Sequence, residues 1–281
     1  MAFEDYIAAC NNHDPDKYRP FLVSGISVGN VRHDIAEALS GHNAVLVEAD
    51  GLRLDDNLTD FDSRSRVLDK LASTLAAEGL VPKLRGEMYP VKTGFEAEAL
   101  AEIDRAAVPG FGLRAYGVHL NGYVRRADGG IDLWIARRAS DRTICPGMLD
   151  NMVAGGQPIG LGLMENVIKE CGEEANVPPK LAATAQPVGA ITYTMETEWG
   201  LKPDTMFCYD LELPADFTPS NTDGEVETFY ILPAAQVAEK VRDTVDFKFN
   251  CNLVIIDFLI RHGLIPPETP GYVSLIRGLR K

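Results

Sequence analysis

The sequence is short of positive charge. Its 27 Lys and Arg residues face 41 Asp and Glu, a formal net charge of -14. That balance argues against a protein that tracks a nucleic-acid polymer, because such binding scales with the number of cationic phosphate contacts. A local basic pocket for a small anion remains compatible with it. Long apolar runs are lacking too: no stretch approaches the ~20 residues of a membrane span. Residues 1–20 carry Glu4, Asp5, Asp14 and Asp16 where a signal segment would need a basic flank and an apolar core. A soluble, cytoplasmic protein without a membrane partner is the expectation. Cysteine is sparse and odd in number: Cys10, Cys145, Cys171, Cys208 and Cys251 are too scattered for a zinc motif or a disulfide framework and suit buried packing. Repeats, low-complexity tracts and a Walker-type phosphate loop are absent.

What remains is an ordinary globular composition, 46% hydrophobic and 24% charged over 281 residues, long enough for one large or two modest domains. Residues 1–110 alternate strand-like and helical patterns. Strands fit 21–23, 26–28 and 44–47, and helices fit 34–39 and 64–78, the latter with Val67, Leu68, Leu71 and Leu75 at helical spacing. After Pro82, 89–91 reads as extended and 97–107 as a further helix. From residue 111 the pattern changes to a hairpin, 118–124 and 131–136 around Asp128-Gly129-Gly130. A glycine loop, a helix over 163–175 stopped by Pro178-Pro179, strands over 188–196, 206–213 and 226–232, and helices over 234–243 and 251–262 complete it. This order predicts an α+β domain with a mixed sheet over 111–281, preceded by a smaller α/β module over 1–110.

The helix over 163–175 carries the chemistry. At about 100° per residue, Glu170, Glu173 and Glu174 share one face, and like charges so placed repel unless a cation joins them. Cys171 points the other way. The stretch from Gly155-Gly156 through Lys169-Glu170-Cys171-Gly172-Glu173-Glu174-Ala175-Asn176-Val177 resembles the Nudix hydrolase box, with Gly155, Glu170, Glu173, Glu174 and Val177 in register. Leu161 stands where the family has an early glutamate, Lys169 where it has arginine and Asn176 where it has glycine. Asparagine tolerates a left-handed backbone, so the last change is mild. His119 to Val124, Leu149 to Gly156 and Asp223 to Glu227 are similar to the Nudix subfamily related to thiamine pyrophosphokinase fusions, whose members carry an additional N-terminal domain.

That resemblance implies a Nudix-type mixed sheet sandwiched by helices and a diphosphatase dependent on Mg2+, with Mn2+ as substitute. Its substrate would be a small organic diphosphate, thiamine diphosphate or an oxidised form of it, cleaved to the monophosphate and phosphate. Hydrolysis of nucleoside-diphosphate-linked compounds and a non-catalytic ligand-binding regulator are the alternatives. Glu170, Glu173 and Glu174 are the expected catalytic residues and metal ligands, joined by the Gly155 carbonyl and by Glu225 or Glu227, which share a face if their segment is extended. Arg137 and Arg138 are candidates for phosphate, only one of them facing inward on a strand. Tyr193, Trp199 and Tyr209 are candidates for stacking on a cationic ring. A homodimer fits the same reading.

Overall fold

The computed structural model describes residues 3–48 and 51–281. The chain runs α1 (Phe3–Ala9), β1 (Tyr18–Val23), β2 (Ile26–Arg32), α2 (His33–Leu39), β3 (Val45–Glu48), β4 (Gly51–Leu54), α3 (Phe61–Ala77), β5 (Met88–Val91) and β6 (Ala101–Asp104). It continues through β7 (Ala115–Arg125), β8 (Ile131–Arg138), β9 (Leu149–Asp150), β10 (Val153–Gly156), α4 (Leu163–Ala175), α5 (Pro179–Ala182), β11 (Gln186–Thr197) and β12 (Gly200–Glu212). Last come β13 (Val226–Pro233), α6 (Ala234–Asp243), α7 (Cys251–Arg261) and α8 (Tyr272–Gly278).

The first part builds a four-stranded sheet in the order β2-β1-β4-β3 and a separate β5-β6 pair. Helix α3 begins where Asp60 accepts from the Ser63 amide at 2.8 Å, a cap that satisfies an otherwise orphaned N–H. Its buried Leu68, Leu71 and Leu75 pack with Phe21, Ile35, Ile103 and Phe111 in one apolar cluster. Each fully buried leucine contributes about 2 kcal/mol. The helix expected over 97–107 is instead β6 and a run of turns. Ala101 and Ile103 are buried on either side of half-buried Glu102, a period-two pattern, and Ile103 pairs with Tyr89. Asp104 then closes the turn, its carboxylate accepting from the amides of Arg85 at 2.9 Å, Gly86 at 2.6 Å and Ala106 at 2.9 Å.

The second sheet has the order β11-β12-β7-β8-β13, with β10 added to β7 and β9 to β8. It is mixed: β7 and β12 are parallel, and the other pairs are antiparallel. Strands β7 and β8 stay paired only where Tyr123, Val124 and Arg125 meet Leu133, Asp132 and Ile131. Beyond that they part, β10 taking residues 117–120 of β7 and β9 taking 136–137 of β8. This split opens the sheet where the glycines lie. On one face, Val167, Cys171 and Ala175 of α4 pack with Val118, Leu120 and Leu211. On the other, Val241, Val254, Phe258 and Leu275 of the C-terminal helices pack with Leu133, Ile135, Ile191 and Met206. The expected α+β architecture, a mixed sheet between helices, is thereby observed. Tyr6, Ile7 and Cys10 at the chain's start join this second face. Among the described residues no helix is long and apolar enough to cross a membrane.

Among the hydrogen bonds that tie the first part to the second are those from the Ile159 amide to the Met88 carbonyl and from the Leu201 amide to the Pro109 carbonyl, both 3.0 Å. Because Asp104 holds three backbone donors in a turn beside these ties, Asp104→Ala is expected to cost about 3 kcal/mol of stability. A lowered urea midpoint in equilibrium unfolding is the measurement, and an unchanged midpoint would contradict the assignment.

Candidate active site

A cleft of about 730 Å³ opens at the split, lined by residues of β5, β7, β10, α4, β12 and the segments around them. Its geometry starts from two glycines in β10. A Cβ on Gly155 would overlap the Glu170 carboxylate, and one on Gly156 would overlap the Tyr89 hydroxyl. The backbone of β10 therefore lies directly against an acid from α4 on one side and a tyrosine from β5 on the other. Helix α4 ends as its sequence predicts, with Asn176 in the left-handed region at φ 54°.

The three glutamates stand in three environments. Glu174 is buried, 8% exposed, and accepts from the Ala154 amide at 2.9 Å. Burial pushes its pKa well up, the amide works against that, and the charges acting on it most are the acids Asp150, Glu170 and Glu225. Glu170 is also raised by burial, with Lys169 opposing the shift. Glu173 is half exposed, and the Lys169 ammonium sits between it at 2.7 Å and Glu170 at 3.1 Å. This arrangement fits a divalent cation. Buried carboxylates that repel one another need a positive charge, and Lys169 holds that place for two of them while Glu174 lacks any cation among its described contacts. Glu225 lines the same cleft and pairs with Arg142 at 2.5 Å.

Other expected residues divide. Arg138 faces the cleft, as do Trp199 and Tyr193. Tyr193 does so from the core: it is 1% exposed, its hydroxyl donating to Asp204 at 2.9 Å and accepting from Asn250 at 3.3 Å, so its ring face is unavailable for stacking. Three residues do not reach the site. Arg137 points away, donating to the Tyr230 hydroxyl and the Gly147 carbonyl, each at 3.1 Å. Tyr209 is one residue out of phase with Cys208 and packs among Val118, Leu120 and Leu211 under α4. Glu227 falls at an irregular step in the β13–β8 pairing and is exposed. The irregularity breaks the alternation that would have put it beside Glu225.

Several cleft residues were not singled out in the sequence, Tyr89 and Arg105 from the first part and Lys248, nor were buried Asp150 and Cys251, which Lys248 and Arg138 adjoin. The segment before α7 is drawn alongside β9, with the Leu149 amide donating to Asp246 and the Lys248 amide to Leu149, both 2.9 Å. Burial disfavours charge on Asp150, but Lys248 and Arg138 hold its pKa down to about 2. Possible ligand atoms of His119, Asp150 and Cys251 lie within 4.8 Å of one another. With two cations already on Asp150, this group suits a third cation poorly, and the glutamate bank is the better metal site. Burial lifts the Cys171 thiol to about 12, which agrees with packing.

Residues 2–115 match a family model described as a domain of unknown function, DUF4743. Over the chain as a whole, the similarity is to two proteins of Arabidopsis thaliana. Nudix hydrolase 24, chloroplastic, is 44% identical over 267 residues, covering 94% of this chain and 73% of that protein. Nudix hydrolase 20, chloroplastic, is 40% identical over 290 residues, covering 99% of this chain and 77% of that protein. A crystal structure from Deinococcus radiodurans is a looser likeness, with a TM-score of 0.46 and 22% identity, covering 63% of this chain and 98% of that one. The two chloroplastic names overturn the cytoplasmic placement expected from composition, which is withdrawn: an acidic chain without long apolar runs constrains partners, not compartment.

Because any side chain at position 155 must displace Glu170, Gly155→Ala is expected to fold yet bind Mn2+ about tenfold more weakly. Calorimetric titration checks this, and wild-type affinity would show that the close approach has no part in metal binding.

Proposed function

Since the chain belongs to the Nudix hydrolase family, and is a hydrolase on that ground, we propose that it is a Mg2+-dependent diphosphatase acting on a small organic diphosphate of the thiamine diphosphate type. The observation that carries the reading is the bank of glutamates on α4, two of them largely buried, set against the backbone of Gly155 at the edge of a cleft. Glu170, Glu173 and Glu174, with the Gly155 carbonyl and with Glu225 from the opposite side, would hold the metal. When bound, Mg2+ or Mn2+ supplies charge neutralisation for the diphosphate oxygens and a water of lowered pKa.

The chain's own residues supply the rest. Lys169 neutralises Glu170 and Glu173 until a cation replaces it, and its i,i+4 pairing with Glu173 keeps the acidic face of α4 folded meanwhile. Glu170, its pKa raised by burial, would be the residue to take a proton from the attacking water. Arg138 presents a guanidinium at the cleft wall, held in place by Asp150 at 2.8 Å. The balance of the reaction is simple: the bridging P–O bond breaks, the water oxygen forms the new P–O bond, and the products are a phosphate monoester, orthophosphate and one proton.

The first part of the chain, residues 1–110, is proposed as an accessory module to a hydrolase domain over 111–281. Tyr89 and Arg105 from that module line the cleft, which supports a role in substrate choice. Every group invoked comes from one chain, so the reading does not require a homodimer. Hydrolysis of a nucleotide-linked diphosphate is the competing substrate assignment, and the relatives named as hydrolases weigh against a purely binding role.

Turnover of thiamine diphosphate, its oxidised forms, ADP-ribose and diadenosine polyphosphates, each with Mg2+, Mn2+ or EDTA, tests the reading. Metal-dependent release of orthophosphate from the thiamine compounds is expected, and preference for the nucleotide substrates would sink the thiamine assignment. Glu173→Gln should lower kcat by about 100-fold or more while leaving the fold intact. Near-wild-type turnover by that variant would remove Glu173 from the metal site.

A further inference from the structure

Two cations and one carboxylate share the wall of the cleft behind the glycines. The Arg138 guanidinium is 2.8 Å from the Asp150 carboxylate and the Lys248 ammonium 3.6 Å from the same oxygen, Oδ2. The side chains of Arg138 and Lys248 are only 14% and 15% exposed. Lys248 and Arg138 hold the Asp150 carboxyl down to about 2, burial pushes His119 down to about 4, and the Cys251 thiol, pushed well up by burial, donates to Asp150 at 2.5 Å. Two cations thus share one carboxylate in a largely buried wall. An uncompensated charge in such a place is costly unless an anion completes it.

The two cations are not equivalent. Arg138 spends its fork on Asp150 and on the carbonyls of Ile144 and Cys145, at 3.0 to 3.2 Å. Lys248 makes no side-chain hydrogen bond among the described residues. Lys248 lines the cleft, and an ammonium has three donors to offer. Buried Asn250 and Tyr193 line the same cleft.

We propose that Lys248, positioned by Asp150 and Arg138, is the subsite for the terminal phosphoryl group of the substrate, so that the enzyme selects diphosphate monoesters over diphosphates substituted at both ends. This rests on the diphosphatase reading above and narrows its substrate class. A terminal phosphoryl group offers three free oxygens and a charge near -2 at pH 7, which matches a compact ammonium point charge. A diphosphate substituted at both ends carries only one charge on each phosphorus and offers no terminal group with three free oxygens. The hydrolysis is the one already balanced, with orthophosphate as the product released from Lys248.

The test uses the full chain and two readouts. Binding of inorganic phosphate to wild type, Lys248→Met and Lys248→Arg is followed by calorimetry, and kcat/KM is compared between monoesters (thiamine diphosphate, ADP) and ADP-ribose with Mg2+. The wild type is expected to favour the monoesters. Lys248→Met is expected to weaken phosphate binding and to lower the monoester-to-ADP-ribose ratio of kcat/KM, each by about 10- to 100-fold, with Lys248→Arg between it and wild type. Phosphate affinity unchanged in Lys248→Met, or a wild type that prefers ADP-ribose, would overturn the proposal. Should the methionine variant fail to fold, the 13C signal of reductively methylated Lys248 in the wild type decides: a shift on phosphate addition supports the subsite, and none overturns it. Absence of turnover on every substrate would sink the diphosphatase reading, with phosphate binding still deciding the subsite.

Discussion

Everything in the cleft depends on how closely β10 is approached from both sides. At Gly155 the Glu170 carboxylate occupies the place a side chain would take, and at Gly156 the Tyr89 hydroxyl does. The approach is possible because β7 and β8 part and leave β10 paired to β7 alone. One steric condition, two adjacent residues without Cβ, therefore fixes the acidic helix, the glycine strand and a tyrosine from the first part of the chain relative to one another. Gly117, opposite Gly156 in the same pairing, continues the condition: its missing Cβ leaves room for the Gly155 carbonyl oxygen, the atom assigned to the metal.

Charge is sorted around that strand. Acids gather on the α4 side and at Glu225, where the net charge of -14 is locally concentrated and buried. Cations gather on the β8 side, held by Asp150. An anhydride bound between them would meet metal-held charge on one side and fixed ammonium and guanidinium groups on the other, the preorganised electrostatics that phosphoryl transfer calls for. The chain's overall acidity has no bearing on this. A few buried groups at short range outweigh many exposed ones that solvent screens.

How much of this could be read from the residues follows from the range of the interaction concerned. The acidic helix was legible because its chemistry is local: three glutamates at helical spacing, a glycine strand at a fixed distance and Asn176 in the left-handed cap are all set within about one turn or loop of each other. The strand over 89–91 was legible and its purpose was not, since Tyr89 acquires meaning only against Gly156. The helix expected over 97–107 failed because Ala101 and Ile103 satisfy a two-residue period as well as a helical one over so short a run, and pairing with β5 decides between them. Tyr209 and Glu227 failed for a related reason. A strand's inward face is set by register, and an irregular step or a one-residue offset turns the side chain away. Lys248 was invisible, because only the alignment of its segment with β9 brings it to Asp150.

The first part of the chain matches a family model without an assigned role, and its placement argues for one. It reaches the site through three independent features: the Tyr89 hydroxyl on Gly156, the Met88 carbonyl on the loop that leads into α4, and the Pro109 carbonyl on the turn that carries Trp199. The last contact is close enough that a Cβ on Gly200 would overlap Pro109, and Gly200 itself has φ 124°. At two of these three contacts, Gly156 and the turn with Gly200, the approach requires a residue without a Cβ. These contacts join the first part to β10 and to the turn at Trp199, both of which line the cleft, and that is the placement on which the proposed role in substrate choice rests.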